Sequence, residues 1–253
     1  MQIGLQLWTV RHEAARSFED SLRQVAAVGY RAVEFAGYGG WSATELKGLL
    51  EELRLQPVSS HVPWERLTAH LEDELAYAET LGLQYLVCPA LPEPVRQDLG
   101  QAIATLERIG AACRERNITF GYHNHAFELE TRLSNGQSLL EALLEGSDPA
   151  CLTAEFDVYW LRYGGADPVA YVRRYAGRVP LLHIKDMEER DGMRRDTEVG
   201  AGILPLSAIV EAAAQAQTAW LFVEQEDFED SPWPRIEKSL HSLKAVLGEE
   251  VTG

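Results

Sequence analysis

Four side chains able to ligate a metal each close a short apolar run: His123 ends "ITFGYH", Asp157 ends "LTAEFD", His183 ends "VPLLH" and Glu224 ends "LFVE". Two imidazoles and two carboxylates suit a hard-to-borderline divalent cation such as Mn²⁺, Mg²⁺, Co²⁺ or Zn²⁺. Delivered from the ends of four rigid strands, they can converge on an ion without much rearrangement. The alternative for the same residues is a buried network of ion pairs with no metal. Side chains two apart on a strand share a face. His125 therefore joins His123, Lys185 joins His183, Glu226 joins Glu224, and Glu155 lies on the Asp157 face one pleat deeper. Such a cation would polarise a carbonyl whose oxygen it binds. The adjacent C–H then becomes acidic enough for a positioned base. Glu224, His125 and Lys185 are the catalytic candidates on these faces.

The elements that position these groups follow from the hydrophobic pattern. Strand-like runs at 2–8, 32–35, 57–61, 85–89, 118–123, 152–157, 181–185 and 219–224 alternate with amphipathic stretches at 18–28, 44–53, 67–81, 98–115, 138–144, 168–175, 206–214 and 233–246. Ser42 followed by Glu45 reads as a capping box. Eight strand–helix units with near-continuously apolar strands predict a closed (β/α)8 TIM barrel, one domain over residues 1–253. An open doubly wound sheet would normally carry a Gly-rich turn after its first strand, and "LQLWTVRHE" has none. The charged stretch at 186–202 shows no clear strand or helix signal and reads as a solvated active-site loop, with Glu198 its inward-facing member.

In a barrel, polar residues at the carboxyl ends of strands build the site. Gln6, Glu34 and His61 join the four ligand candidates there. Glu34 is expected to hold a substrate hydroxyl or to buttress a neighbour, and His61 to face the pocket or to sit satisfied at the rim. Trp8, Trp64 and Trp160 could stack on a sugar ring or pack against loops. Arg162 could reach an anionic group or pair with a surface acid. Gly200 and Gly202 fall in the loop after strand seven, a usual phosphate position in barrels.

The bulk properties narrow the class. The 253 residues match the usual size of one such barrel, and 39 acidic against 23 basic residues leave a net charge of −16. That charge opposes binding to nucleic acid. No apolar run is long enough to span a membrane. Cys88, Cys113 and Cys151 are scattered and odd in number, which suggests buried thiols in a reducing cytoplasm rather than a disulfide framework. Apolar residues near Trp233 could serve a homo-oligomer contact.

The strings "GLQLWTVR", "GYHNHAFE", "DVYWLRYGG", "HIKD", "EVGAGIL" and "FVEQED" together resemble the sugar phosphate isomerase/epimerase family with the xylose-isomerase-like TIM barrel, across nearly the whole chain. The resemblance implies ligands from strands five to eight, which by motif are His123, Asp157, His183 and Glu224. The better-understood epimerases carry a glutamate at the strand-five position. Here "YHNH" stands in its place, as in one branch of the family, and Glu128 is the alternative fifth-strand ligand. The implied activity is a divalent-metal-dependent isomerase or epimerase of a small sugar, keto-sugar or polyol, with manganese first among the metals and a metal-stabilised enediolate as intermediate. A lyase or dehydratase using that intermediate is the alternative. A metal-dependent hydrolase and a non-catalytic sugar-binding barrel are the more distant ones.

Overall fold

A computed structural model describes residues 1–248; the last five positions of the expected domain lie outside the described residues. Eight parallel strands close a barrel: β1 (Gln2–Gln6), β2 (Ala32–Phe35), β3 (Gln56–His61), β4 (Tyr85–Cys88), β5 (Thr119–His123), β6 (Thr153–Asp157), β7 (Leu181–Ile184) and β10 (Trp220–Val223). The ring is sealed where the first strand meets the last, with Gln2 opposite Trp220 and Leu5 opposite Val223. Helices alternate with the strands, and the predicted closed barrel is what the chain forms. The capping box at Ser42 is present: its hydroxyl accepts from the Glu45 amide while the Glu45 carboxylate accepts from the Ser42 amide.

Strand alternation sorts side chains into two layers. Outward residues such as Phe120, Phe156, Leu182 and Leu221 pack into the large core beneath the helices. Inward residues at the amino-terminal end form a smaller plug of Ala32, Val58, Val87, Leu181, Trp220 and Phe222. Gly4 makes room for this plug, because a Cβ there would lie 2.4 Å from the Phe222 ring. One or two pleats further on, the same inward faces present Glu34, His123, Glu155, Asp157, His183 and Glu224.

One irregularity matters for the site. Val33 pairs with Pro57 but Glu34 pairs with Ser59, so β3 carries one extra residue, Val58. Such a bulge breaks the period of two. It lets Val58 join the inner plug while His61, three positions on, still reaches the site.

The stretch expected as an irregular loop at 186–202 is instead largely an antiparallel hairpin, β8 (Asp186–Arg190) and β9 (Met193–Thr197). Its two-residue turn holds Asp191 and Gly192 at φ 55° and 74°. Asp-Gly is a favoured pair for that left-handed turn, so the signal was in the sequence beneath the dense charge.

Candidate metal and active site

The mouth of the barrel gathers the four candidate ligands. One ligand atom from each of His123, Asp157, His183 and Glu224 lies within 4.8 Å of every other. All four residues are buried. Asp157 closes β6 and caps the next helix, its Oδ1 accepting from the Trp160 amide at 3.0 Å. Its Oδ2 is buried with no hydrogen-bond partner, a lone pair that a cation would satisfy. The Asp157 amide donates to Asn124 Oδ1 at 3.1 Å, tying β6 to the loop after β5. His183 is held at both nitrogens, with Nδ1 3.2 Å from Glu224 Oε2 and Nε2 2.6 Å from Glu34 Oε1. Glu34 also accepts from Gln6 Nε2 at 2.7 Å. The donor set and the orphaned carboxylate oxygen fit a divalent cation.

Beneath this group sits Glu155, which sequence reasoning placed on the correct face but left out of the site. Its Oε2 lies 2.6 Å from His61 Nε2, 3.2 Å from His123 Nδ1 and 3.4 Å from His183 Nε2. The period of two from Asp157 was the available signal. His61, His123, Glu155 and His183 form a second cluster of donors, sharing two histidines with the first. The short His61–Glu155 contact makes it a hydrogen-bonded floor under the upper group.

Electrostatics separate the roles. Lys185 is almost fully buried; its ammonium pairs with Glu226 and lies 3.8 Å from both Glu224 Oε2 and Asp196 Oδ2. It also sits over the rings of Trp160 and Tyr159, 4.9 and 5.1 Å from their centroids. Burial pulls its pKa down, but Glu224 and Asp157 outweigh that and hold it above the usual lysine value. Burial likewise pushes Glu224 up, yet Lys185 and then His183 bring it well below the carboxylate range. Asp157 goes the other way, raised by burial to about 7. Burial lowers His125 to about 4, leaving a neutral imidazole near neutral pH. His183 is desolvated, but Glu155 and Glu34 raise it well above an ordinary histidine.

Glu128, the alternative fifth-strand ligand, is committed elsewhere. Tyr122 Oη donates to its Oε1 at 2.7 Å and the His125 amide donates to its Oε2 at 2.8 Å. Burial raises it to about 8. Both oxygens thus brace the loop that presents His125, and His123 is the fifth-strand residue that meets the other three.

A cavity of about 420 Å³ opens above the cluster, lined by Trp8, His61, His123, His125, Glu224 and Glu226 among others. Trp160 packs beside it, its ring 5.6 Å from His125. Glu34 lies below the cavity, fully buried, and braces His183 instead of meeting the open space. Trp64 borders a separate recess with Pro94 and Val95, because the helix Trp64–Ala69 begins at that residue and carries it away from the rim. Arg162 is exposed on the helix Val158–Tyr163, outside the cavity lining. Glu198 turns to Arg235 on the last helix, at 2.8 Å, away from the mouth.

Comparison with known proteins agrees with this fold. An inosose dehydratase from Clostridium tetani is 28% identical over 101 residues, which is 40% of this chain and only 32% of that relative. One from Lacticaseibacillus casei is 22% identical over 249 residues, 83% of this chain and 82% of the relative. A solved sugar phosphate isomerase/epimerase from Parabacteroides distasonis ATCC 8503 superposes with a TM-score of 0.82 at 25% identity, covering 96% of this chain and 93% of that one. Residues 22–246 match the description Xylose isomerase-like TIM barrel, and the chain belongs to that family.

Proposed function

We propose that the protein is a divalent-metal-dependent enzyme that moves a proton at a carbon beside the carbonyl of a small keto-sugar or polyol ketone, as an isomerase or epimerase. The observation that carries this is the convergence of two imidazoles and two carboxylates within 4.8 Å at the floor of an open cavity. His123, Asp157, His183 and Glu224 would hold the ion, for which manganese is the first choice and magnesium, cobalt or zinc the alternatives. When bound, the ion supplies Lewis acidity to a carbonyl oxygen.

The chain's own residues do the rest. Glu224, kept ionised by Lys185 and His183, faces the cavity and takes the proton. The Lys185 ammonium stands 3.8 Å from it and offsets negative charge as it develops. Neutral His125 lines the same cavity and carries or returns a proton from another side. Trp8, also in the lining and half exposed, offers an indole face to a ring. Buried Glu155 and Glu34, with the partly exposed His61, fix the imidazoles, as partners of metal-ligating histidines generally do.

The dehydratase reading is favoured by one feature. Burial disfavours a charged His61, one of the lining imidazoles, but Glu34 and Glu155 outweigh it and raise it above an ordinary histidine. A protonated imidazole can hand its proton to a departing hydroxyl. The inosose dehydratase relatives support it. A cytoplasmic setting, a small-molecule substrate without nucleic-acid partners, and a homo-oligomer complete the proposal.

Solvent-deuterium incorporation into keto-sugars and inososes by metal-loaded protein tests the reading. Glu224→Gln is expected to lose exchange by about two to four orders of magnitude while keeping the wild-type circular dichroism. Full exchange in that variant removes Glu224 from the chemistry.

A further inference from the structure

Gln6 closes β1 with its side chain wholly buried, and both ends of its amide are used. Its Oε1 accepts from the Trp8 amide at 2.9 Å, and its Nε2 donates to Glu34 Oε1 at 2.7 Å. That orientation is forced. A backbone N–H can only donate, so the side-chain oxygen must face Trp8 and the NH2 group must face Glu34. The same Glu34 oxygen lies 2.6 Å from His183 Nε2. Because β2 and β7 are not neighbours in the ring, this last contact crosses the barrel interior. Three hydrogen bonds in line therefore join the short turn Leu7–Val10, which sets Trp8 at the cavity, to one of the converging metal donors.

The consequence falls on His183. A metal-bound imidazole gives one nitrogen to the ion, and the hydrogen bond made by the other decides which. Nδ1 stands inside the converging group, 3.2 Å from Glu224 Oε2, while Nε2 faces Glu34. For Nδ1 to present a lone pair, Nε2 must keep its hydrogen and Glu34 Oε1 must accept it. The Gln6 N–H, aimed at that same oxygen, favours a carboxylate there, which only accepts. Glu34 Oε2 is buried with no partner among the described residues, so turning the carboxylate would break both bonds and replace neither. His61 Nε2 lies 3.3 Å from Glu34 Oε1 but takes Glu155 as its nearer partner, at 2.6 Å.

We propose that Gln6 is a positioning residue for the metal: by donating to Glu34 it holds the carboxylate that keeps a hydrogen on His183 Nε2 and so turns Nδ1 to the ion. This rests on the ligand set of the proposed function. Chelator competition for Mn²⁺ tests it, on purified full-length protein and with no substrate. Gln6→Met keeps the length of the side chain without its amide, and is expected to bind Mn²⁺ about 10–100-fold more weakly, as loss of such a supporting partner generally does. Glu34→Gln is expected to lose a comparable factor. The double variant should then bind no more weakly than Glu34→Gln alone, since the amide acts only through that carboxylate. Unchanged affinity in Gln6→Met, or losses that multiply in the double variant, overturns the proposal. A role confined to starting the turn at Leu7 would lower only the melting temperature of the metal-free protein. Nitrogen NMR of histidine-labelled, Zn²⁺-loaded wild type needs no variant to fold: zinc on His183 Nδ1 with a proton on Nε2 is expected, and the reverse overturns the assignment. A wild type that takes up no metal removes the ligand set itself, whereas metal bound equally by wild type and Gln6→Met removes only the present inference.

Discussion

Asp157 places its two oxygens in different settings, and that division makes it the most informative single residue. Oδ1 caps a helix and Oδ2 is buried without a partner. Asp157→Ala removes both, and the expected result is loss of bound metal, measured by elemental analysis of purified protein, together with loss of turnover. Retained metal and normal turnover would overturn the ligand assignment. The protonation of the same residue sets a pH dependence. Burial raises Asp157 to about 7, so below that pH the carboxyl is mostly neutral in the metal-free protein. A ligating carboxylate must first lose its proton. Through Asp157 alone, metal affinity is therefore expected to weaken about tenfold per unit as the pH falls below about 7. His183, raised by Glu155 and Glu34 against its burial, must also give up a proton, which steepens the fall and extends it to higher pH. Titration with a competing chelator between pH 5.5 and 8.5 reads this. An affinity flat across that range would exclude Asp157 as the titrating ligand. The four residues that converge were legible because each ends an apolar run. Glu155 was harder to read, since a carboxylate in mid-strand signals its role only through partners brought by other strands.

At the scale of elements, the barrel was legible almost completely, because parallel strands buried on both faces leave unbroken apolar runs. Two features were not. The hairpin at 186–197 is so charged that its period was hidden, although Asp191-Gly192 marks the turn. The bulge at Val58 could not be read from one strand, since a bulge is a relation between two. Without it, His61 and Val58 would face opposite ways. Packing inside the barrel gives an element-scale prediction. Gly4→Ala would drive a methyl into the Phe222 ring and is expected to cost about 1–3 kcal/mol. A urea midpoint that falls at unchanged slope would show this, and an unshifted midpoint would mean the inner plug gives way freely. The hairpin meanwhile acts as a brace. Asp196 on β9 accepts from the amides of Glu226 and Asp227, holding the segment that carries Lys185's partner.

At the scale of the whole molecule, charge decides which partners are compatible. A net charge of −16 is distributed over a chain whose cavity lining is itself acidic. Affinity for nucleic acid depends on cations neutralising phosphates. Mobility-shift assays with duplex DNA at physiological salt are therefore expected to show no complex. A shift at micromolar protein would revive the hydrolase alternative. What composition could not convey is how local charge is arranged. Lys185 reads in the sequence as a catalytic candidate beside His183, and the fold walls it in with three carboxylates.

The seam between β1 and β10 has a consequence for biogenesis. Three of the four donors arrive on β5, β6 and β7, but Glu224 follows the strand that must dock against the very first one. A ribosome-bound chain lacking that closing strand can offer an ion only a partial grip. On the proposed ligand set, full-strength capture would wait until the two ends of the polypeptide have met, so loading with metal would report that synthesis and ring closure are finished.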